Sequence, residues 1–509
     1  MKVTQPFIQK IVIVGGGTAG WMAAATLGNI FKDSKDVEIE LVESDEIGII
    51  GVGEATIPPL ITILEKLGID LVDFIQNTQA TFKLGIEFAD WKALQHSYFH
   101  PFGTLGASID GHDFYQCWFR TTQTDNTSEL MDHSPEAQLA KLNRFFVPHQ
   151  CINTPLAKTK FALHLDSALA GQYLRRFAEE RGVKRTVGTV EHAISPNKQI
   201  ISHITLSDGR KISADFFIDC TGFKGVLIEQ SLNAGYEDWS DFLPCNKAVT
   251  VQTENTDTIR PYTLATAREA GWTWNIPLQH RTGNGYVYCD KFISDEQAMD
   301  TLFGCIEGKP INQPRVIPFS TGLRKQPWKG NCLSLGLAQG FLEPLESTAI
   351  HLVSRSLQLF VRMFPTKTPN GLLIDEFNRR LKQDYEEIRD FLILHYCTTE
   401  RTDTEFWRWC QQMPLPESLK NKIDFFSLSG GIIPSVEELF QPTSWYSVFD
   451  GMGVRPQCAN PTVNALDADK LALSLRAGSN AIRDAALKQP EHKHFIREYC
   501  QAEAPDKLM

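Results

Sequence analysis

Runs and alternations of apolar residues mark out the first elements of this chain. Ile11-Val12-Ile13-Val14 is an unbroken apolar run and predicts a buried strand over residues 10–14. A helix is expected from about Trp21 to Phe31. Residues 37–42 then alternate apolar with acidic positions, predicting a second strand that ends at Glu43. These three pieces have the lengths of a βαβ unit. Residues 61–67 read as helical, and Phe82-Lys83-Leu84-Gly85-Ile86-Glu87-Phe88 alternates like one strand. From Tyr98 to about Gln150 the chain is rich in aromatic, histidine and polar residues with little period, and is expected to be an insertion over the core. Leu165, Leu169, Tyr173 and Phe177 stand four apart, which predicts an amphipathic helix over 161–180 with Gly182 as its stop. Strands are expected over 185–190, 200–206 and 216–218, with Asp208-Gly209 as a hairpin turn between the last two. Residues 225–330 are strand-rich. An apolar strand over 332–335 leads into a glycine-rich loop and a long helix from about Ser347 to Phe364, and the rest is mostly helical.

With 509 residues the chain has room for one large domain or two to three ordinary ones. Its apolar and charged fractions, 42% and 22%, are those of a soluble globular protein and exclude a disordered one. A net charge of −11 argues against nucleic acid or an anionic membrane as partner. No apolar run reaches membrane-spanning length, and the N-terminus lacks a secretory pattern, so a cytoplasmic protein is expected. The eleven cysteines form no C-x-x-C pair and read as reduced thiols; no metal site is expected.

The stretch Gly271-Trp272-Thr273-Trp274-Asn275-Ile276-Pro277 carries two tryptophans at spacing two, which puts both indoles on one face of a strand. Pro277 ends that strand or places it at an edge. Alone, the pair is either core packing or the wall of a site. The N-terminal loop adds chemistry. Gly15, Gly17 and Gly20 fit G-x-G-x-x-G, in which the first glycine makes the tight turn, the second lets backbone approach a pyrophosphate, and the third lets helix and strand pack closely. The following helix start offers free N–H groups to phosphate. Glu43 is placed to hydrogen-bond a ribose hydroxyl. Two later segments favour FAD over NAD: Asp215-Phe216-Phe217-Ile218-Asp219-Cys220-Thr221-Gly222-Phe223, and Gly336-Leu337-Ala338-Gln339-Gly340-Phe341. An extended FAD needs such distant loops at its flavin end, whereas a bare NAD domain does not.

The sequence resembles the flavin-dependent tryptophan halogenase family, from about residue 8 to about residue 410. The carriers are Gly15-Gly16-Gly17-Thr18-Ala19-Gly20-Trp21, Gly51-Val52-Gly53-Glu54-Ala55-Thr56, Lys83 in Phe82-Lys83-Leu84-Gly85, Trp272-Thr273-Trp274-Asn275-Ile276-Pro277, and Phe341-Leu342-Glu343-Pro344-Leu345-Glu346-Ser347-Thr348. The resemblance implies an α/β fold: a Rossmann-type FAD-binding core of the GR2, monooxygenase-like kind, with an interleaved strand-rich block and a largely helical substrate-binding region. One unit would span about 8–460. Its FAD-binding parts would lie at about 8–95, 160–225 and 325–365, and its substrate-side parts at about 96–159, 226–324 and 366–509.

The implied activity is FADH₂- and O₂-dependent chlorination or bromination of an electron-rich aromatic, an indole or tryptophan-like substrate. Hypohalous acid formed at the flavin passes through a tunnel to Lys83, whose ammonium hydrogen-bonds the oxidant or whose amine forms a haloamine. Trp272 and Trp274 keep the substrate from the flavin's oxidising product, which suppresses direct hydroxylation. Glu346 orients the oxidant, stabilises the cationic ring and removes its proton; as a plain helix-start acid it would only favour the dipole. The same likeness assigns Thr18, Ala19, Ala55, Val190, Leu337 and Ile350 to FAD, and the Thr348 and Ala349 amides to halide. Alanine stands at 349 where the family has glycine. His100 and Phe102 match positions that stack an indole. Trp445, beside Tyr446, falls where tryptophan-specific members hold the amino-acid end, but the chain diverges after Val448. A smaller or differently substituted indole fits as well as free tryptophan.

The resemblance further implies that FADH₂ comes from a separate NAD(P)H-dependent flavin reductase, with which the lack of a second dinucleotide loop agrees. The oligomeric state, homodimer included, stays open. Arg401-Thr402-Asp403-Thr404-Glu405-Phe406-Trp407 reads as a structural ion pair and aromatic anchor. Two rivals remain at this level: a flavin-dependent aromatic monooxygenase, and a non-catalytic flavin-binding protein.

Overall fold

The structure is a computed structural model that describes residues 7–34, 36–45, 53–122 and 128–503. Two compact units are each assembled from three stretches. The first takes Met1–Gln79, Leu165–Ser240 and Phe319–Glu386; the second takes Ala80–His164, Asp241–Pro318 and Glu387–Met509. The two units are interleaved along the chain, and Gly85–Ala89 belongs to the second. The reason is that Gly85–Ala89 pairs with Thr263–Arg268 and with Ser97–Pro101, inside the second unit's sheet.

In the first unit, six strands lie in the order Trp328–Lys329, Cys332–Ser334, Phe216–Asp219, Lys10–Val14, Glu38–Glu43, Lys184–Val187. All neighbours are parallel except the first pair. Lys10–Val14 sits where the connections reverse direction, so its carboxyl end opens onto a crevice. Both faces of the sheet are covered, as a parallel sheet requires. Phe216 packs on Trp328 and on Phe360 of the helix Ala349–Arg362, while its neighbour Phe217 joins Ile204, Leu206 and Leu227 beneath a small antiparallel sheet.

In the second unit, seven strands run in the order Arg315–Pro318, Lys247–Thr253, Thr282–Tyr288, Gly271–Pro277, Thr263–Arg268, Gly85–Ala89, Ser97–Pro101. The tryptophan strand Gly271–Pro277 is central, and Pro277 ends it without placing it at an edge.

Several boundaries differ from the sequence pattern, each for a local reason. The first helix is Thr18–Phe31, three residues longer at its start, because it opens directly on Gly17. The alternating run 82–88 is two strands, Thr81–Lys83 and Gly85–Ala89; Leu84 is the corner, with its amide bonded to Pro261 O at 2.8 Å. The expected insertion over 98–150 begins with a sheet strand, Ser97–Pro101, and holds helices Phe114–Thr122 and Pro135–Lys141. Residues 161–180 are a strand, Ala162–Leu165, followed by a helix, Ser167–Glu179, with Asp166 between them accepting from the Ala168 and Leu169 amides. Asp208-Gly209 does make a hairpin turn, with Gly209 at φ 84°, but the returning strand is Lys211–Ser213, three residues long and unseen in the pattern. All eleven cysteines are free. Arg401 pairs with Asp403 through two nitrogens and lies over Trp407, whose indole N–H donates to Arg268 O, the anchoring role expected. Among the described residues no helix is long and apolar enough to cross a membrane, and no histidine, cysteine and carboxylate cluster suits a metal.

Asp166 is what turns the strand into the helix. Asp166→Ala is expected to lower stability by about 1 kcal/mol, up to about 2, and Asp166→Asn by much less, as read from the urea unfolding midpoint.

Candidate active site

The first unit supplies a cradle for an anionic dinucleotide. Gly15 stands at φ 112°, and a Cβ there would lie 2.3 Å from Cys220 O; at Gly20 it would lie 1.9 Å from Gly15 O. At Gly17 a Cβ would meet nothing within 4 Å. The first and third glycines are thus fixed by packing, while the second leaves an open face. Among the described residues the first-turn amides of Thr18 and Ala19 make no hydrogen bond, so they are available to a pyrophosphate. Glu43 is already engaged by Arg185 and by Trp21 Nε1, which donates at 3.2 Å. Each carboxylate oxygen still has a lone pair for a ribose hydroxyl. Gly188 donates to Glu43 O and Thr189 bonds Ser44, which brings Val190 beside that acid. The loop carrying Leu337 packs on the glycine-loop helix, since a Cβ at Gly336 would sit 2.8 Å from Ala19 Cβ. Ile350 lines an apolar cavity with Thr18, Met22, Leu60 and Phe74. Ala55 lies in the short strand Glu54–Ala55, half-buried; Gly51 and Val52 of the same motif lie outside the described residues. These features fit FAD.

The same unit holds Glu346, buried at 1% exposure, and next to it Ser347 in the left-handed region at φ 59°. That turn starts the helix Ala349–Arg362 with Thr348 as its cap. Among the described residues the Thr348 and Ala349 amides make no hydrogen bond, leaving donors suited to an anion.

The second unit holds Lys83, which is fully buried (0%). Its strand pairs antiparallel with Ala162, Leu163 and His164. Side chains alternate along a strand. Phe82 goes to one side, stacked on Phe145 at 4.0 Å with Phe161 and Phe495 at its edges. Lys83 Nζ lies 5.0 Å from the Phe102 ring centroid, a cation–π contact. Phe102 is held there by its own amide, which donates to Leu84 O.

Trp272 and Trp274 have centroids 5.9 Å apart. Register puts them on the same sheet face as Phe88, Tyr98 and His100. Trp274 Nε1 is buried and has no hydrogen-bond partner among the described residues. His100 contacts Phe391 and Phe440, and Trp445 meets Phe391 edge-on at 4.9 Å, so His100 and Trp445 belong to one aromatic cluster. Trp445 is itself occupied: its N–H donates to Phe440 O and Lys422 covers its ring.

Sequence reasoning missed the supports around Lys83. His164 Nε2 is 2.8 Å from Thr263 Oγ1, and its Nδ1 is 3.2 Å from Thr81 Oγ1. The Thr81 hydroxyl donates to Pro277 O, the end of the tryptophan strand. His164 therefore donates from Nδ1, and its burial favours the neutral ring with Nε2 as the acceptor. Burial, and then the Lys83 charge, push its pKa well below the ordinary value. Glu136 lies against the backbone of Gly103, where a Cβ would come within 1.9 Å of its carboxylate. It accepts from the Lys160 amide and from Ser134. No spacing in the sequence joins these residues to Lys83.

Burial raises the Glu136 pKa from 4.5 to about 7. The folded state then holds its proton up to about pH 7, while the unfolded chain loses it near 4.5, so this group takes stability away as pH rises between the two. Glu136→Gln removes that loss. The variant should gain on the parent by roughly 2–3 kcal/mol between pH 5 and pH 8, measured by urea unfolding at both.

Comparison with known proteins agrees with this geometry. The family model described as tryptophan halogenase matches residues 10–468. The tryptophan 6-halogenase SttH of Streptomyces toxytricini is 32% identical over 95% of this chain and 97% of its own length. BrvH, a flavin-dependent halogenase from Brevundimonas sp. BAL3, superposes with a TM-score of 0.93 at 40% identity, covering 97% of this chain and 100% of that one. A flavin-dependent halogenase from Xanthomonas campestris gives 0.94 at 39%, covering 98% and 100%. With a fold that carries the flavin-binding core and a helical substrate region, the chain belongs to the tryptophan halogenase family.

Proposed function

We propose that this flavin-dependent halogenase chlorinates or brominates an indole ring, with Lys83 and Glu346 as its catalytic residues. The observation that carries this reading is Lys83 itself. A lysine without solvent exposure, laid against an aromatic ring, suits a cation that holds a small oxidant.

Bound FADH₂, delivered by a separate NAD(P)H-dependent reductase, supplies hypohalous acid from O₂ and a halide ion. Gly17, Thr18 and Ala19 hold the pyrophosphate, Glu43 the ribose, and Ala55, Val190, Leu337 and Ile350 flank the cofactor. The Thr348 and Ala349 amides hold the halide. The Lys83 ammonium hydrogen-bonds the hypohalous acid and makes its halogen more electrophilic. The ring carbon takes the halogen, the hydroxyl leaves as water with a proton, and the Glu346 carboxylate removes the proton displaced from the carbon. Trp272 and Trp274 form the barrier that keeps the ring from the flavin, and the unpaired Trp274 N–H is a donor for a small polar guest.

His100 and Phe102 offer flat faces for an indole. The Trp445 edge and N–H are already spent inside the cluster, which favours an indole without the amino-acid end over free tryptophan.

Incubation of indole with the protein, a flavin reductase, NADH, O₂ and bromide is expected to yield a bromoindole by mass spectrometry; a hydroxyindole would instead make this a monooxygenase. Lys83→Ala is expected to lower bromination at least about a hundredfold while a chemical trap still collects free hypobromous acid, and Glu346→Gln to slow turnover about a hundredfold or more. Normal rates in either variant refute that residue's role. Gly17→Ala should weaken FAD binding with an unchanged melting temperature, because its Cβ meets open space; Gly20→Ala should lose the fold.

A further inference from the structure

Strand Thr81–Lys83 is short, and its partner strand does not take the Phe82 amide. That amide donates instead to His492 Nε2 at 3.3 Å, across 410 residues of sequence. His492 sits at the start of the helix His492–Tyr499 near the C-terminus and is fully buried. Its other ring nitrogen, Nδ1, lies 3.0 Å from Ile259 O. One nitrogen must accept and the other must donate, so the ring is a neutral Nδ1–H imidazole. Burial agrees, holding its pKa down to about 4.

The same C-terminal segment is tied to the strand at a second point. Gln279 Nε2 donates both to Ala80 O, one residue before the strand, and to Cys500 O, and Gln279 Oε1 accepts from the Ala502 amide. Phe495 of the same helix packs on the Phe82 ring. The helix start is pinned in turn, with the His492 amide donating to Asn143 O and the Phe145 amide to Pro490 O.

We infer that His492 is a positioning residue for Lys83: by accepting the Phe82 N–H it replaces a missing strand neighbour and fixes the backbone from which the lysine projects. This rests on the catalytic reading of Lys83. A near-attack geometry is sensitive to displacements of about 1 Å, and in a strand of three residues with one sheet partner the Phe82 amide is the backbone donor that no strand neighbour takes. Loss of the acceptor leaves flavin chemistry intact and lets the oxidant escape capture.

The test follows the fraction of consumed FADH₂ that appears as halogenated indole, together with trapped hypohalous acid. His492→Phe keeps the ring packing but cannot accept the amide. His492→Gln can accept with Oε1 and donate to Ile259 O with its amide nitrogen. The Phe variant is expected to lower the product fraction about tenfold or more while trapped hypohalous acid rises, and the Gln variant to restore most of it. A parent-like product fraction in His492→Phe overturns the proposal, and so does a Gln variant as poor as the Phe variant. Lys83→Ala run alongside separates the two claims. If that variant halogenates normally, the lysine reading falls. If it is inactive while His492→Phe is normal, only the positioning role falls. Hydrogen exchange in the parent, read at peptides spanning 81–84, needs no variant: slow exchange of the Phe82 amide is expected, and rapid exchange refutes the bond.

Discussion

Burying an ammonium is the constraint around which the second unit is built. Removing Lys83 from water costs several kcal/mol unless neighbours compensate. The Phe102 face gives part of the compensation, and burial holds the His164 and His492 pKa values below the ordinary range, which disfavours a second positive charge on either ring. His492 is locked as a neutral imidazole by bonds that only one tautomer can make, and His164 donates from Nδ1 while burial disfavours its charged form. Protonating His492 would set two donors against each other at the Phe82 amide. The histidines therefore frame the lysine without competing with it for a proton or an anion.

The first unit offers the opposite, donors suited to negative charge, and it offers them twice by the same means. Two helices, Thr18–Phe31 and Ala349–Arg362, begin with amides that have no partner among the described residues. One start is reached through a glycine turn whose open face is Gly17. The other is reached through Ser347, a residue with a side chain held at φ 59°. A non-glycine residue in that region costs of order 1 kcal/mol, a strain that typically persists where a chain must turn sharply into a binding site. The glycine turn and the Ser347 turn are two sequence solutions to one geometric demand, a helix start with open amides.

Much of this was legible in the sequence, and the reason differs from element to element. The glycine loop could be read because each glycine answers a local steric need, and the tryptophan pair because strand periodicity alone fixes its face. Residues 161–180 misled because a fourfold apolar spacing continues from the strand residue Leu165 into a real helix, and only the Asp166 cap marks the break. The run 82–88 misled because alternation survives the corner at Leu84. Lys83 and Glu346 were singled out through motifs, and both are buried in the structure. The histidines that hold the lysine's strand could not be, since His492 meets Phe82 from the far end of the chain and neither position has a distinctive neighbourhood in sequence. Such contacts exist only once the sheet has assembled.

The tryptophan wall illustrates how a large side chain is made rigid by small ones. Trp274 lies between Ala265 and Gly285 on the flanking strands, and Trp272 between Ala267 and Val287. A Cβ at Gly285 would come within 2.1 Å of the Trp274 ring, so the indole lies flat across its neighbour strand and has nowhere to turn. On the other side Trp272 meets Trp91, which in turn packs against Tyr396 and Trp407. The wall is therefore continuous with the aromatic core behind it, and its rotamers are fixed by packing. Enlarging Gly285 would displace the Trp274 indole with neither tryptophan substituted, which makes that glycine as much a part of the paired-indole face as the rings it admits.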